Sequence, residues 1–242
     1  MAILVTRPQP DNEKTAQGLR AKGFEVLVSP TLRLEPLPFH HDPEVTYDAV
    51  IVTSSNALRA VQDDPGLTPL KGLKLFAVGD ASAETARQAG FRNVVSASGD
   101  AASLREAVTA KLKKNSTLCY LAGADLGRDL TVELGERGYT VITHTTYRMM
   151  LVAGFADAVS AAFKANGIEA VLHYSRRSAR AFIEAAQASG VEILALALPQ
   201  ICISQAVAAI LREAGASRVI AAQSPDENAV FQALDRALGL KT

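Results

Sequence analysis

The chain has 242 residues, 48% of them hydrophobic, enough for one large core or two modest ones. Lys plus Arg equals Asp plus Glu at 25 each and the isoelectric point is near 6.9, so no net field draws the molecule to nucleic acid or to a membrane, and any attraction for an anion is local. No apolar run reaches the ~20 residues of a membrane span, and residues 1–8 are too short and too lightly charged for a signal peptide, so the expectation is a soluble, cytoplasmic protein.

In chain order, residues 3–6 predict a buried strand, residues 11–22 an amphipathic helix closed by Gly23, and residues 24–29 a second strand. Residues 31–38 alternate apolar and charged side chains, and Pro36 and Pro38 forbid a helix or a central strand there, which predicts a crossover between domains. Strands follow at 48–53, 73–78, 94–97, 117–122 and 140–143, interleaved with helical patterns, the sign of a parallel sheet covered on both faces. Residues 145–152 alternate again and predict a return crossover that pairs with the first as a two-stranded ladder. Three more strands, at 170–174, 200–203 and 218–221, are too few for a balanced sheet unless the two amino-terminal strands join them.

The expected architecture is therefore two flavodoxin-like α/β domains with parallel sheets. Residues 1–33 plus 153–242 make a discontinuous domain, 34–40 and 144–152 are linker strands, and 41–143 are an inserted domain, with a cleft between the two. Ser103 with Glu106, and Ser224 with Glu227, have capping-box spacing, the second with Pro225 at the first helical position. Cys119 and Cys202 lie in apolar runs and read as buried, reduced thiols. Without a broad apolar face, a monomer is expected.

The chain repeats itself. An apolar run ends in small hydroxyl residues and opens a helical pattern at 52–60, VTSSNALRA, and again at 173–181, HYSRRSARA. Gly79 and Ser204 head the next turn of each copy, and Gly90 and Gly215 follow eleven residues later. Two similar halves are implied.

Ligands of parallel α/β sheets bind at the carboxyl ends of strands, and the polar residues concentrate there. Ser54, Ser55 and Asn56 follow one strand, Gly79, Asp80 and Ser82 another, and Gly123, Asp125, Gly127 and Arg128 a third. In the other half Thr6 and Arg7, then Ser175, Arg176, Arg177 and Ser178, then Ser204, occupy equivalent places. Hydroxyls and glycines at helix starts leave backbone N–H groups that bind anions, although the same residue types serve as ordinary helix caps. Arg7, Arg128, Arg176 and Arg177 stand at turns rather than on solvated helix faces, so a neutral chain presents one locally basic cleft. Tyr147, on the return crossover, is a phenol able to give a proton or a hydrogen bond to a leaving group, or else a half-buried strand residue.

Other constellations are missing. No phosphate loop with a Lys-Ser/Thr pair occurs, no GxGxxG follows the first strand, no GxSxG elbow is present, and His40, His41, His144 and His173 lack metal-ligand spacing.

Five segments in register resemble the uroporphyrinogen-III synthase family: 5–8 (VTRP), 52–57 (VTSSNA), 77–83 (AVGDASA), 123–130 (GADLGRDL) and 141–148 (VITHTTYR). The resemblance spans nearly the whole chain. It implies two α/β domains joined by a two-stranded ladder and cyclisation of hydroxymethylbilane, a carboxylate-rich linear tetrapyrrole. The product is uroporphyrinogen III, formed with loss of water and inversion of ring D through a spiro intermediate. No metal or organic cofactor is implied. Tyr147 matches the family's linker tyrosine, proposed to assist hydroxyl departure, and Ser54, Ser55, Asn56, Ser82, Arg128 and Ser175 fall on cleft positions. The partner it implies is the tetrapyrrole, with a transient contact to the upstream enzyme that forms hydroxymethylbilane. The chain departs from several relatives in carrying Ala206 and Val207 where they have hydroxyls after the last cleft loop. The competing expectation is a non-catalytic two-lobed ligand sensor.

Overall fold

The computed structural model describes residues 1–125 and 130–240. The chain forms two compact units, one of Met1–Arg33 with Met150–Thr242 and one of Leu34–Met149. It opens in the first unit with β1 (Ala2–Val5), α1 (Asp11–Ala21) and β2 (Glu25–Val28). The second unit runs β3 (Leu32–Pro36), β4 (Ala49–Val52), α2 (Ser55–Val61), β5 (Lys74–Ala77), α3 (Asp80–Gln88), β6 (Asn93–Ser96), α4 (Ala101–Lys111), β7 (Thr117–Gly123), α5 (Leu130–Gly135) and β8 (Thr140–Leu151). The chain then returns through α6 (Asp157–Lys164), β9 (Ile168–His173), α7 (Arg176–Ala188), α8 (Glu192–Ala197), β10 (Gln200–Cys202), α9 (Gln205–Glu213), β11 (Val219–Ala221) and α10 (Glu227–Ala237).

The first unit's sheet has the order β11-β10-β9-β1-β2, and its neighbours run parallel. The second has the order β3-β8-β7-β4-β5-β6 and is parallel from β8 to β6. Central strands such as β1 (AILV) and β4 (AVIV) are buried along their whole length, because helices cover both faces. Counted within each unit, the first sheet has the flavodoxin-like order 2-1-3-4-5, whereas β4 to β8 follow 3-2-1-4-5. Hydropathy alone did not separate these two orders, since both produce the same alternation of strand and helix. Gly90 and Gly215 close α3 and α9 with φ of +98° and +94°, so the repeated glycine reflects a repeated left-handed helix exit.

Several local expectations need correction. The strand expected at 140–143 and the return crossover form one continuous strand, β8. With β3 it forms the expected two-stranded pairing, which also makes the edge of the second sheet. Leu37 N–H donates to Thr146 O and Val152 N–H to Thr31 O, so partner numbers run in opposite directions, the mark of an antiparallel pair. Pro36 is tolerated because β3 is an edge strand. Neither serine capping box forms. Asp100 caps α4, accepting from Ala102 and Ser103 N–H at 3.0 Å each, which puts Ser103 inside the helix. Asp226 caps α10 through Ala229 N–H at 2.9 Å, which leaves Ser224 and Pro225 outside it. A carboxylate satisfies the same N–H groups and adds a favourable charge at the helix start. These hydrogen bonds hold both carboxyls below their ordinary pKa, for Asp100 chiefly the bond from Ser103 N–H and for Asp226 the bond from Ser224.

Candidate functional site

In an open parallel sheet the ligand crevice lies where successive connections leave in opposite directions, outside the carboxyl ends of two adjacent strands. In the second unit those strands are β4 and β7, and in the first β1 and β9.

At the β4/β7 point, Thr53 Oγ1 lies 2.9 Å from the Tyr120 hydroxyl, tying the two strand ends together. Ser54 Oγ accepts from Asn56 N–H at 3.2 Å and caps α2. Asn56 Oδ1 accepts from Arg59 at 3.1 Å. Ser55 Oγ is 3.3 Å from the hydroxyl of Ser82, which is buried behind it. Gly79 heads α3 with no side-chain cap. Its φ of −154° suits any residue, and an added Cβ would meet nothing within 4 Å. Neither backbone strain nor crowding explains the glycine, but it does leave the first N–H groups of α3 uncovered by a side chain. The neighbouring Asp80 is occupied by Ser96 at 2.6 Å and Ser98 at 3.3 Å.

Tyr147 belongs to this point. It is opposite Gly123 in the β7–β8 register and packs on the cluster that contains Val52, Ala57 and Leu58. Its ring lies so close to Gly123 that a Cβ there would stand 2.6 Å from Cζ and 2.8 Å from the hydroxyl oxygen. Among the described residues, the phenol has no hydrogen-bond partner. Arg128 lies outside the described residues.

The β1/β9 point is filled by the protein itself. Arg7 pairs with Asp11 at 3.3 Å and Glu227 at 3.4 Å, donates to Thr15 Oγ1 at 3.0 Å, and stacks 4.2 Å from the centroid of Tyr174. Thr15 donates to the same Glu227 oxygen at 2.5 Å and Tyr174 at 3.4 Å. Burial, and next the Glu227 charge, push the Tyr174 phenol well above its ordinary pKa. Arg7, expected as an anion-binding charge, is thus already paired with two carboxylates. Sequence reasoning missed Thr15, Tyr174 and Glu227 as a group, because their partners are distant in sequence and Glu227 passed for part of a capping box.

Ser175 caps α7 through Ser178 N–H at 3.0 Å, and the buried Ser178 hydroxyl is spent on Ser175 Oγ rather than offered to a ligand. Arg176 is exposed in the first turn of α7, where no acidic residue balances it. Ser204 caps α9 through Val207 N–H at 3.4 Å.

Elsewhere, burial pushes both the Cys119 and Cys202 thiols up to about 12, which removes them as nucleophiles at neutral pH. Desolvation first, then Cys119 and Asp42, push Tyr47 up to about 12, and its hydroxyl lies 2.8 Å from His144 Nε2. Burial drives His173 down to about 4 against an opposing bond from Gln200. Gln200 donates its amide N–H groups to Ala195 O and Leu198 O, so its oxygen faces His173 Nε2 at 2.8 Å and fixes the proton there. Among the described residues, no group of three His, Cys, Asp or Glu could hold a metal ion.

The family model described as Uroporphyrinogen-III synthase HemD matches residues 13–232. Among solved structures, the chain is similar to a uroporphyrinogen-III synthetase from Helicobacter pylori, with a TM-score of 0.66 at 19% identity, covering 98% of this chain and 99% of that one. It is also similar to a mutant uroporphyrinogen III synthase from Thermus thermophilus, with a TM-score of 0.59 at 16% identity and 99% of both chains covered. At these identities the structures speak for the fold. A search of curated protein sequences finds no match.

Proposed function

The chain belongs to the uroporphyrinogen-III synthase family and is a cyclising lyase of tetrapyrrole biosynthesis that converts hydroxymethylbilane to uroporphyrinogen III; from that premise we propose that Tyr147 is its catalytic phenol and that hydroxyls and helix starts of both units hold the substrate. The observation that carries the assignment is the Tyr147 hydroxyl, without a hydrogen-bond partner among the described residues and seated on Gly123 at the β4/β7 point.

The phenol donates its proton to the terminal hydroxyl of the open chain, which departs as water and leaves an electrophilic azafulvene. Ring D attacks through its already substituted carbon and gives a spiro intermediate, which fragments and recloses with ring D inverted. The proton released when the macrocycle regains its aromatic pyrrole restores the phenol, so the net change is loss of one water. The open chain also cyclises unaided, without inversion, so folding the substrate before the hydroxyl leaves is the main catalytic task.

We assign substrate carboxylates to the α3 start at Gly79, to Ser54, Ser55 and Asn56 beside Gly123, to Arg128, and to Ser175, Arg176 and Ser204 of the first unit. Each carboxylate near a helix start gains about 0.3–1 kcal/mol from the dipole. Arg176 adds positive charge where α7 has no acidic residue to offset it. Ser82 and Ser178 act from behind Ser55 and Ser175. Arg7 acts by holding its edge of the first unit. A cytoplasmic location and a transient contact with the enzyme that forms hydroxymethylbilane are part of the same reading. No helix among the described residues is long and apolar enough to cross a membrane.

The test is a coupled assay that generates hydroxymethylbilane in place, then oxidises and separates the products. Predominantly type III uroporphyrin is expected. Type I alone, from a folded and monodisperse sample, would overturn the reading in favour of a ligand sensor. Arg128→Ala should weaken substrate binding, and binding insensitive to this change and to salt would remove Arg128 from the site.

A further inference from the structure

A strand alternates its side chains between two faces, and β8 obeys that rule only as far as Thr145. Val141 packs on the cluster with Leu130 and Leu134, and Thr143 bonds Thr131 at 2.9 Å, so odd-numbered positions face α5. Ile142 packs on the α2 side, and His144 meets Phe39 and Tyr47 of that same cluster. Continued alternation would put Tyr147 on the α5 face, yet it packs on the α2 side.

The reversal comes from one extra residue. Ala122 is opposite Thr145 but Gly123 is opposite Tyr147, so Thr146 is the inserted residue of a β-bulge. Thr146 is fully buried, and its hydroxyl lies 3.2 Å from both Ala57 O of α2 and Ala122 O of β7. Its carbonyl accepts from Leu37 N–H at 2.8 Å, and the Tyr147 carbonyl accepts from Ala124 N–H at 2.8 Å. Downstream of the bulge, the Tyr147 ring occupies the space a Cβ on Gly123 would need.

We propose that Thr146 is a positioning residue: its hydroxyl pins the bulge that turns Tyr147 onto the α2 face, and Gly123 is the platform that keeps the phenol there. The proposal rests on the reading of Tyr147 as the catalytic phenol. Thr146→Val keeps the shape but removes the donor, so kcat should fall tenfold or more with KM changed less than threefold. Thr146→Ser keeps the hydroxyl and should remain within threefold of the parent in kcat. In a Tyr147→Phe background, Thr146→Val should change kcat less than twofold, since no hydroxyl remains to aim. A twofold or smaller effect of Thr146→Val in the parent, or an equal loss in both backgrounds, overturns the proposal.

Should Thr146→Val fail to fold, Gly123→Ala tests the same seat from the other strand. It should lower kcat tenfold or more where Tyr147 is present and less than twofold beside Tyr147→Ala, where no ring is left to displace. Equal losses overturn the proposal. With 3-fluorotyrosine at position 147, Gly123→Ala should also shift the fluorine resonance. If Tyr147→Phe proves fully active, the catalytic reading fails while this resonance still reports the seat. An unmoved resonance overturns the seat itself.

Discussion

The two switch points hold polar residues at the carboxyl ends of adjacent parallel strands but differ in their chemistry. At β1/β9 an arginine, two carboxylates, a threonine and a tyrosine satisfy one another. At β4/β7 a phenol stands unpartnered among the described residues above a glycine, and the α3 start after the neighbouring β5 has no side-chain cap. A duplicated fold supplies two switch points: at the first this chain pairs Arg7 with its own carboxylates, and at the second the phenol has no partner among the described residues. Polar residues at strand ends are therefore insufficient to mark a site; what separates the two is whether their hydrogen bonds are already spent.

The sharpest way to break this contrast is Tyr147→Phe. Removing the proton donor should lower kcat roughly tenfold to a thousandfold, about 1–4 kcal/mol of barrier, with little change in KM. Unchanged turnover would make Tyr147 a packing residue and the two points alike in being structural.

Acid should loosen the self-satisfied unit. His173 is held neutral, with a folded pKa of about 4 against 6.5 when unfolded. The unfolded chain thus takes up the proton first, and stability falls as pH drops from about 6.5 to about 4, by about 3 kcal/mol in all. Burial and the neighbouring His41 lower His144 in the second unit in the same direction, so its effect on stability has the same sign. Denaturant unfolding across that range, with the His173 imidazole followed by NMR, checks it. A flat profile, or a His173 that titrates near 6.5 in the folded protein, would refute the buried neutral ring.

Glu227→Gln acts on the other side of the comparison. Arg7 would lose one of its two carboxylates, and Thr15 and Tyr174 would lose a charged acceptor, at a cost of about 1–2 kcal/mol in unfolding free energy. Activity measured below the new melting point should stay within twofold. A several-fold rise in KM instead would show that the Arg7 network also meets the substrate, and would erase the distinction between the two points.

Much of this was legible in the sequence because it depends on local order. The strand-helix alternation, the repeated hydroxyl turns and the glycines after α3 and α9 follow from hydropathy period and from backbone angles that glycine favours. The group around Arg7 was not legible, since Thr15 and Glu227 meet only through the fold, 212 positions apart. Nor was the aim of Tyr147. Alternation along 140–147 places that phenol on the α5 face, and the one-residue slip that moves it is a property of pairing with β7. The capping boxes failed for a related reason: the motif spacing was right, but a nearby carboxylate, Asp100 or Asp226, was in place to take the N–H groups.

The smallest expected effect compares the repeated turn most directly. Gly79 and Ser204 head α3 and α9 with nearly the same backbone, φ/ψ of −154°/174° and −156°/164°, so exchanging their side chains strains neither. Ser204→Gly removes the hydroxyl bonded to Val207 N–H and should cost a few tenths of a kcal/mol. Gly79→Ser gives α3 the cap it lacks and should gain a similar amount, but the new hydroxyl would occupy N–H groups assigned to a substrate carboxylate. A more stable protein with KM raised several-fold is therefore expected from Gly79→Ser. Because the cap is local, melting temperature and KM should move independently of kcat. An unchanged KM would mean that the open start of α3 binds no carboxylate, leaving Gly79 with no role that its backbone or its surroundings explain.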